Sequence, residues 1–398
     1  MRILFVNRSA RFQGGIEADV HVAAGGLAAR GHECHLLAFD ADVDPTYTAP
    51  FASAHIAPSD EARALAARVD AVAPSLVYLH KVEDASVLGL HALMASPRRV
   101  PVVRFVHDHD LHCMRRHRYL PITLDVCTRP ADLLGCLRCG GFFERSREGL
   151  LPLRWRPVTA RLKDLAATRA LTRVLVASRF MAEELRRNDV PEHLVRVVPL
   201  GVPDAPVPPP ATSRGRVAFV GQLLRTKGVD QLLRALAETP SETTLDVVGD
   251  GAQQGELREL AERLGVGGRV AWHGRLDAAQ VARVLASAAI VAFPSRWPEP
   301  FGLVGLEAMR ASRPVVAFDV GGVREWLEHG RTGLVVPAGD ALGFARALRR
   351  LVRDPAGAHA MGNLGRASYE RTFHVDRYLD RLERHLVEAT LGSEDGPA

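Results

Sequence analysis

Two glutamates, Glu299 and Glu307, stand eight positions apart in FPSRWPEPFGLVGLEAMRAS, residues 293–312. Pro298 and Pro300 bracket the first, and a proline disfavours helical backbone at the residue before it, so Glu299 belongs to an extended or turning loop. From there Phe301, Val304, Leu306, Ala308 and Met309 recur near helical spacing, which predicts that a helix opens at about Phe301. The first amides of such a helix, those of Phe301, Gly302 and Leu303, have no partner inside it and carry the positive end of its dipole. Gly302 has no side chain to keep a bulky anion at a distance. A loop carboxylate, free amides behind it and a second carboxylate further in suit a ligand that is part phosphate and part sugar. Taken singly, an acidic residue near a helix start more often only complements the dipole. The proline-stiffened loop Ser295-Arg296-Trp297, placed directly after the apolar run AAIVAFP, is what favours a ligand, because open parallel sheets bind at such strand-to-helix junctions.

Other loops have a similar character. In FVGQLLRTKGVDQLL, Gly221 ends an apolar strand, Arg225 and Lys227 follow in a short polar loop, and a helix begins. Cations at the mouth of such a junction suit a diphosphate. The chain has 48 arginines and only three lysines, Lys81, Lys163 and Lys227, which singles out Lys227. VVGDGAQQG sets Gly249, Gly251 and Gly255 in a tight turn that would admit a nucleotide, although its spacing departs from the dinucleotide fingerprint. DVGGVRE adds the pair Gly321-Gly322 before Arg324 and Glu325. Near the N-terminus Gly14-Gly15 opens a helix. FVHDHDLH packs three histidines and two aspartates into residues 107–112, readable as a hydrogen-bonded structural group or, through His107, as part of a site.

The elements that must carry these loops alternate along the chain. ILFV, CHLLAF, LVYLH, PVVRFVH, VLVAS and VRVVPLGV read as strands in the first 200 residues, with helical patterns between them. After residue 215 the alternation restarts with VAFVG, LDVVGDG, VAWHG, IVAFP, PVVAFD and GLVV. Such alternation means parallel sheets crossed by helices, an α/β protein. Between the halves, GVPDAPVPPPATSRG carries Pro203, Pro206, Pro208, Pro209 and Pro210, a composition that suits a linker and no core element. The expected organisation is an N-terminal domain over 1–200, a linker over 201–215 and a C-terminal domain over 216–373. A closing helix at about 374–391 would pack back on the first domain, and residues 392–398 read as disordered.

At 398 residues, 47% apolar and 24% charged, the chain has the composition of a soluble protein with two ordinary cores. No apolar run approaches the ~20 residues of a membrane-spanning helix. MRILFVNRSARF reads as a first strand and not as a signal peptide, so the cytoplasm is the expected location. The net charge of +5 is unevenly spread, with 16 Arg and Lys against 7 Asp and Glu in residues 98–173. No helix-turn-helix, finger or aromatic-basic ribonucleoprotein pattern accompanies that surplus, so nucleic acid is not expected. Phe142, Phe143, Leu150, Leu151, Leu153 and Trp155 interleave with Arg145, Arg147, Arg154 and Arg156, which suits peripheral attachment to an anionic headgroup layer or an ordinary basic face. Cys113, Cys127, Cys136 and Cys139 crowd the same region. In a cytosolic chain such thiols suggest structural zinc, with an iron–sulfur centre, free thiols or a redox pair as alternatives. Cys34 lies in an apolar strand and reads as core.

Several glycine-, cation- and carboxylate-bearing loops after parallel strands point to one cleft. On these motifs the chain resembles a family 4 glycosyltransferase of the GT-B fold, in which two Rossmann-like domains face each other across the active site. The resemblance runs from about residue 1 to 385 through GGIEADVHVAAGGLAARGHE, VASRFMAEEL, VVPLGV, VGQLLRTKG and the E-x7-E glutamate pair. The Cys/Arg-rich stretch, about 108–160, would be an insertion in the N-terminal domain. The resemblance implies that Lys227 holds the leaving diphosphate and that Glu299 contacts the donor sugar's hydroxyls. It also implies that the backbone of Phe301, Gly302 and Leu303 orients sugar and phosphate, and that Glu307 binds the ribose. Gly14 and Gly15 would let their loop approach donor or acceptor, and His107 would sit near the reacting carbon. Where the family often has arginine straight after the strand-end glycine this chain has Gln222, and Arg225 is the candidate substitute. No Asp-x-Asp motif lies in a suitable loop. The implied activity is therefore a metal-independent, retaining transfer from a nucleotide-diphosphate sugar to a glycan, lipid-linked or small-molecule acceptor, as in cell-surface polysaccharide synthesis, with no cofactor required. A sugar-nucleotide epimerase of related fold and a non-catalytic nucleotide-sugar or nucleic-acid binder are the alternatives.

Overall fold

The computed structural model describes residues 1–58, 61–82, 90, 94, 99–120, 125–139, 143–145, 153–155, 158–205 and 215–392. Most of the aromatic-basic stretch 142–156 and the prolines 206–210 lie outside the described residues. The chain forms two compact units: Met1–Pro199 together with Tyr378–Ala398, and Leu200–Arg377.

In the first unit the strands are β1 (Arg2–Asn7), β2 (Glu33–Ala38), β3 (Ser53–Ile56), β4 (Leu76–Leu79), β5 (Val102–Val106), β8 (Arg173–Val176) and β9 (Val195–Val197). They lie in the order β3-β2-β1-β4-β5-β8-β9, and every pairing is parallel. A separate antiparallel ribbon, β6 (Phe143–Arg145) and β7 (Leu153–Trp155), stands in the cysteine-containing region. A parallel sheet is covered on both faces, which is why its central strands are unbroken apolar runs. Ile3, Leu4, Phe5 and Val6 of β1 and Leu76, Val77, Tyr78 and Leu79 of β4 are all fully buried.

The second unit repeats the scheme with β10 (Arg216–Val220), β11 (Thr244–Val248), β12 (Val270–Gly274), β13 (Ile290–Phe293), β14 (Val315–Phe318) and β15 (Gly333–Val336). Their order is β12-β11-β10-β13-β14-β15, again all parallel. Helix starts are fixed locally. Asp277 and Gln280 form a capping box before Ala278–Ser287, and Asp354 caps Pro355–Ser368 with Pro355 in its first turn.

Each sheet has one place where strand order reverses, between β1 and β4 and between β10 and β13. Loops leaving neighbouring strands there diverge to opposite faces and open a crevice at the strands' carboxyl ends. Gly221 and Lys227 follow β10, and Glu299 follows β13. Gly14 follows β1, and His80 follows β4.

The helix Val375–Leu391 joins the first unit from Tyr378 onward, with Tyr378, Leu379, Leu382 and Leu386 buried. Arg30 pairs with Asp380 at 2.8 Å and Glu383 at 2.7 Å, and Arg173 with Glu388 at 2.8 Å. Gly26 lies directly beneath it: a Cβ there would meet Leu379 Cδ1 at 2.2 Å. Gly25 on the same helix has 3.7 Å of clearance to Pro50. Gly26→Leu is therefore expected to lift the closing helix and cost about 1–3 kcal/mol as overpacking does, seen as a lower melting temperature, with Gly25→Ala close to wild type.

Candidate functional site

In the second unit, three loops that are far apart in sequence are locked into one assembly. The 3₁₀ turn Arg225–Lys227 ends at Gly228, whose φ of +69° is left-handed. A Cβ at Gly228 would meet Pro294 O at 2.0 Å, so only glycine lets the β10 loop lie on the β13 loop. Arg296 N donates to Thr226 O at 2.8 Å, and the Arg296 guanidinium pairs with Asp230. The third loop follows β14. Gly322 N donates to Glu299 O at 2.7 Å, and a Cβ at Gly321 would meet that same carbonyl at 2.1 Å.

At the centre Lys227 Nζ donates to Glu299 Oε1 at 2.6 Å, and Ser295 Oγ donates to the same oxygen at 2.5 Å. Glu299 is 4% exposed. The ammonium stands 5.1 Å from the Trp297 ring centroid, within range of a cation–π attraction. Lysine has three donors, and the contact with Glu299 uses one. The two residues that the sequence proposes for diphosphate and sugar are thus brought into direct contact.

The helix between the glutamates starts later than its periodicity suggests. It runs Leu303–Arg310, with Gly302 at its N-cap at φ +103°. The Phe301 carbonyl accepts from Trp326 Nε1 at 2.7 Å, which holds Phe301 outside the helical ladder. The opening amides are therefore those of Leu303 and Val304, while Gly305 N bonds Gly302 O at 2.9 Å. Glu307 is half-buried on this helix. Burial pushes its carboxyl up, and Arg310 pulls the other way.

The glycine turn after β11 joins the same end of the sheet. Gly249 has φ +131°, and a Cβ there would meet Gly221 O at 2.0 Å. A Cβ at Gly251 would meet Leu223 O at 2.6 Å. Arg225 is exposed and lines a shallow depression with Asp230, Arg234 and Gln253. Its side chain does not join the contact between Lys227 and Glu299.

In the first unit, Gly14 is the N-cap of Gly15–Ala29, and its amide donates to Glu17 Oε2 at 3.0 Å. His107 follows β5, and both its ring nitrogens are turned inward. Nε2 lies 2.9 Å from His80 Nδ1, and Nδ1 lies 3.9 Å from Asp19 Oδ2. Burial, with Lys81 nearby, holds its pKa down to about 3, so the ring is neutral. Lys81 Nζ pairs with Asp108 at 3.2 Å and Asp110 at 3.3 Å. Sequence reasoning missed Asp19, His80 and Lys81. Lysine scarcity, the signal that marked Lys227, applies equally to Lys81.

The four clustered cysteines lie in one neighbourhood, with Cys113 in electrostatic reach of Cys127 and Cys136, and Cys136 of Cys139, although among the described residues no three bring their sulfurs within 4.8 Å of one another. Burial pushes the Cys113 and Cys136 thiols up. His109, His112 and Glu184 do come that close. Glu184, however, is taken by Arg118 at 2.8 Å and Arg187 at 3.1 Å, so the group is an ion-paired part of the core.

Two parallel-sheet units with loop sites at their carboxyl ends define the GT-B fold of the nucleotide-sugar glycosyltransferases. Anabaena HepE, solved in complex with UDP and glucose, superposes with a TM-score of 0.73 at 22% identity, over 98% of this chain and all of that one. Two family models match: Glycosyltransferase Family 4 over residues 13–205, and Glycosyl transferases group 1 over residues 206–368. The chain belongs to the family 4 glycosyltransferases. A glycogen synthase of Mycobacterium tuberculosis is 35% identical over 160 residues, 39% of this chain and 38% of that protein. A D-inositol 3-phosphate glycosyltransferase of Mycolicibacterium paratuberculosis is 36% identical over 170 residues, 42% and 38% of the two chains. The matched stretch thus spans about two-fifths of these relatives' length.

The loop packing gives a controlled test. Gly265 has nearly the same φ as Gly228, +70° against +69°, but nothing lies within 4 Å of a Cβ placed there. Gly265→Ala should cost only the left-handed backbone penalty of about 1–2 kcal/mol. Gly228→Ala should cost clearly more in thermal unfolding, because Pro294 must move as well.

Proposed function

We propose that the protein transfers a sugar from a nucleoside diphosphate donor to a hydroxyl-bearing acceptor, retaining the anomeric configuration and using no metal ion. The observation that carries this reading is the contact between Lys227 and Glu299 at the β10–β13 strand reversal. It sets a cation for the diphosphate beside a carboxylate for the sugar. When the anomeric C–O bond breaks, its electron pair goes to the phosphate oxygen and the sugar becomes oxocarbenium-like. Lys227 and the amides of Leu303 and Val304 face the charge that develops, and preorganised donors are worth most where charge appears. The acceptor oxygen enters on the leaving-group face and passes its proton to the departing diphosphate.

Glu299 accepts hydrogen bonds from the sugar's hydroxyls, and Ser295 keeps its carboxylate aimed. Glu307, one helix further in, takes the ribose, and the turn of Gly249 and Gly251 leaves room for the nucleotide. A uridine donor is the first to test, since HepE was solved with UDP. The N-terminal unit serves the acceptor, a glycan, a lipid-linked chain or a small molecule. Its basic surplus favours an acceptor presented at an anionic membrane surface, with the protein peripheral on the cytoplasmic side. Among the described residues no helix is long and apolar enough to cross a membrane.

The test is nucleoside diphosphate release from a panel of nucleotide sugars beginning with UDP-glucose. Wild type should release product from one of them, and Lys227→Ala should lower that turnover by ~10²-fold or more while the protein stays folded. Glu299→Gln should fall comparably. Undiminished rates in Lys227→Ala, or no release from any donor, would overturn the reading.

A further inference from the structure

Behind His107 lies a buried polar group that the proposed transfer does not use. Asp19, one turn into the helix Gly15–Ala29, has a side chain only 1% exposed, and the Tyr378 hydroxyl interacts with its carboxyl. It faces His107 Nδ1 at 3.9 Å. On the other side of that ring, His107 Nε2 and His80 Nδ1 are 2.9 Å apart, so one of them carries the shared proton. The rings are clamped between phenylalanines. Phe105 stacks on His107 at 4.5 Å, His107 on His80 at 5.2 Å, and His80 on Phe5 at 5.6 Å. Neither imidazole is free to turn and find another partner, so the only adjustable quantity is where the protons sit.

Two arrangements satisfy the contact between the rings. In one, His80 Nδ1–H donates to His107 Nε2 and His107 carries its proton on Nδ1, an arrangement that the negative charge of an ionised Asp19, 3.9 Å away, favours. In the other, His107 Nε2–H donates to His80 Nδ1. His107 Nδ1 is then bare and faces a protonated Asp19, and His80 carries its proton on Nε2. Both rings are neutral in each case, and the two arrangements differ in where the protons sit.

We propose that Asp19 is a positioning residue whose protonation state sets the tautomers of His107 and His80 together. This rests on the reading of the first unit as the acceptor side of a glycosyltransferase, where His107 is the candidate site residue. Burial pushes the Asp19 carboxyl from its ordinary 3.8 up to about 7, and the Tyr378 hydroxyl pulls it down, so the switch falls near neutral pH. The charged and titratable groups around the network are Tyr78 and His80 on the β4 side, Lys81 just beyond with its partners Asp108 and Asp110, Tyr47 and Glu17 beside it, and Tyr378 from the closing helix. The tyrosines are pushed up by burial and stay neutral, and the imidazoles are held neutral. Asp19 is thus the group in this network that changes charge around pH 7.

The test needs no substrate. In the full-length chain labelled with ¹⁵N-histidine, the nitrogens of two imidazoles, identified through His107→Gln, should exchange protonated and bare signatures together with a midpoint near pH 7. Asp19→Asn should abolish that titration, and Tyr378→Phe should move its midpoint upward. The native state holds a proton that the unfolded chain releases near 3.8, so ionised Asp19 costs stability as pH rises towards 7. The stability of Asp19→Asn relative to wild type should therefore climb between about pH 4 and 7 and then level off. Histidine signals that stay fixed from pH 5.5 to 8.5, or that titrate identically in Asp19→Asn, would overturn the proposal. If a donor is turned over, Asp19→Asn should flatten the pH profile of kcat and leave KM near wild type. Absence of turnover would sink the glycosyltransferase reading without touching the histidine result.

Discussion

The second unit depends on a close approach of two backbones. The β10 loop rests on the β13 loop through Gly228, and the space left for a side chain there is nil, since Pro294 O would lie 2.0 Å from a Cβ. That approach puts Lys227 Nζ 2.6 Å from Glu299, with Ser295 on the same oxygen and the third loop bonded to the Glu299 carbonyl. An ammonium on a flexible four-carbon stem is ordinarily poorly placed. Here it is held by a carboxylate, an indole face and a turn that cannot swing out. The proposed transfer relies on this preorganisation, since fixed donors act most strongly where charge develops.

The first unit builds its polar centre differently. The second unit zips its loops together through backbone contacts, whereas the first stacks aromatic and imidazole rings across β1, β4 and β5 and buries a carboxyl against them. Similar sheet topology thus supports a charged, partly open centre in one unit and a neutral, closed one in the other. The difference follows from what leaves the strand ends: glycine turns with a lysine after β10, and histidines after β4 and β5.

Much of this was legible in the sequence because it is local. Unbroken apolar runs between helical patterns specify parallel strands, and glycine with lysine after such a run marks the loop that carries Lys227 onto Glu299. Glu299 was marked by its prolines and Lys227 by the rarity of lysine. The helix boundary at Leu303 was not legible, because it depends on Trp326 holding the Phe301 carbonyl through a tertiary contact. The helix Pro355–Ser368 also escaped notice. Its alanines and glycines give weak periodicity, and Gly362 is fixed by close approach to the Ser312 carbonyl. Asp19 carries no local mark, since its environment is assembled from β4, β5 and a helix at the far end of the chain.

The closing helix has a consequence for biogenesis. Its buried face, Tyr378 to Leu386, fills a gap in a unit whose other residues are all made before Leu200. A nascent chain that has emerged only to residue 200 exposes that apolar gap, and it stays uncovered while the entire second unit is synthesised. The earlier-made half is therefore the later to mature, and its interim partner on the ribosome is solvent or a chaperone.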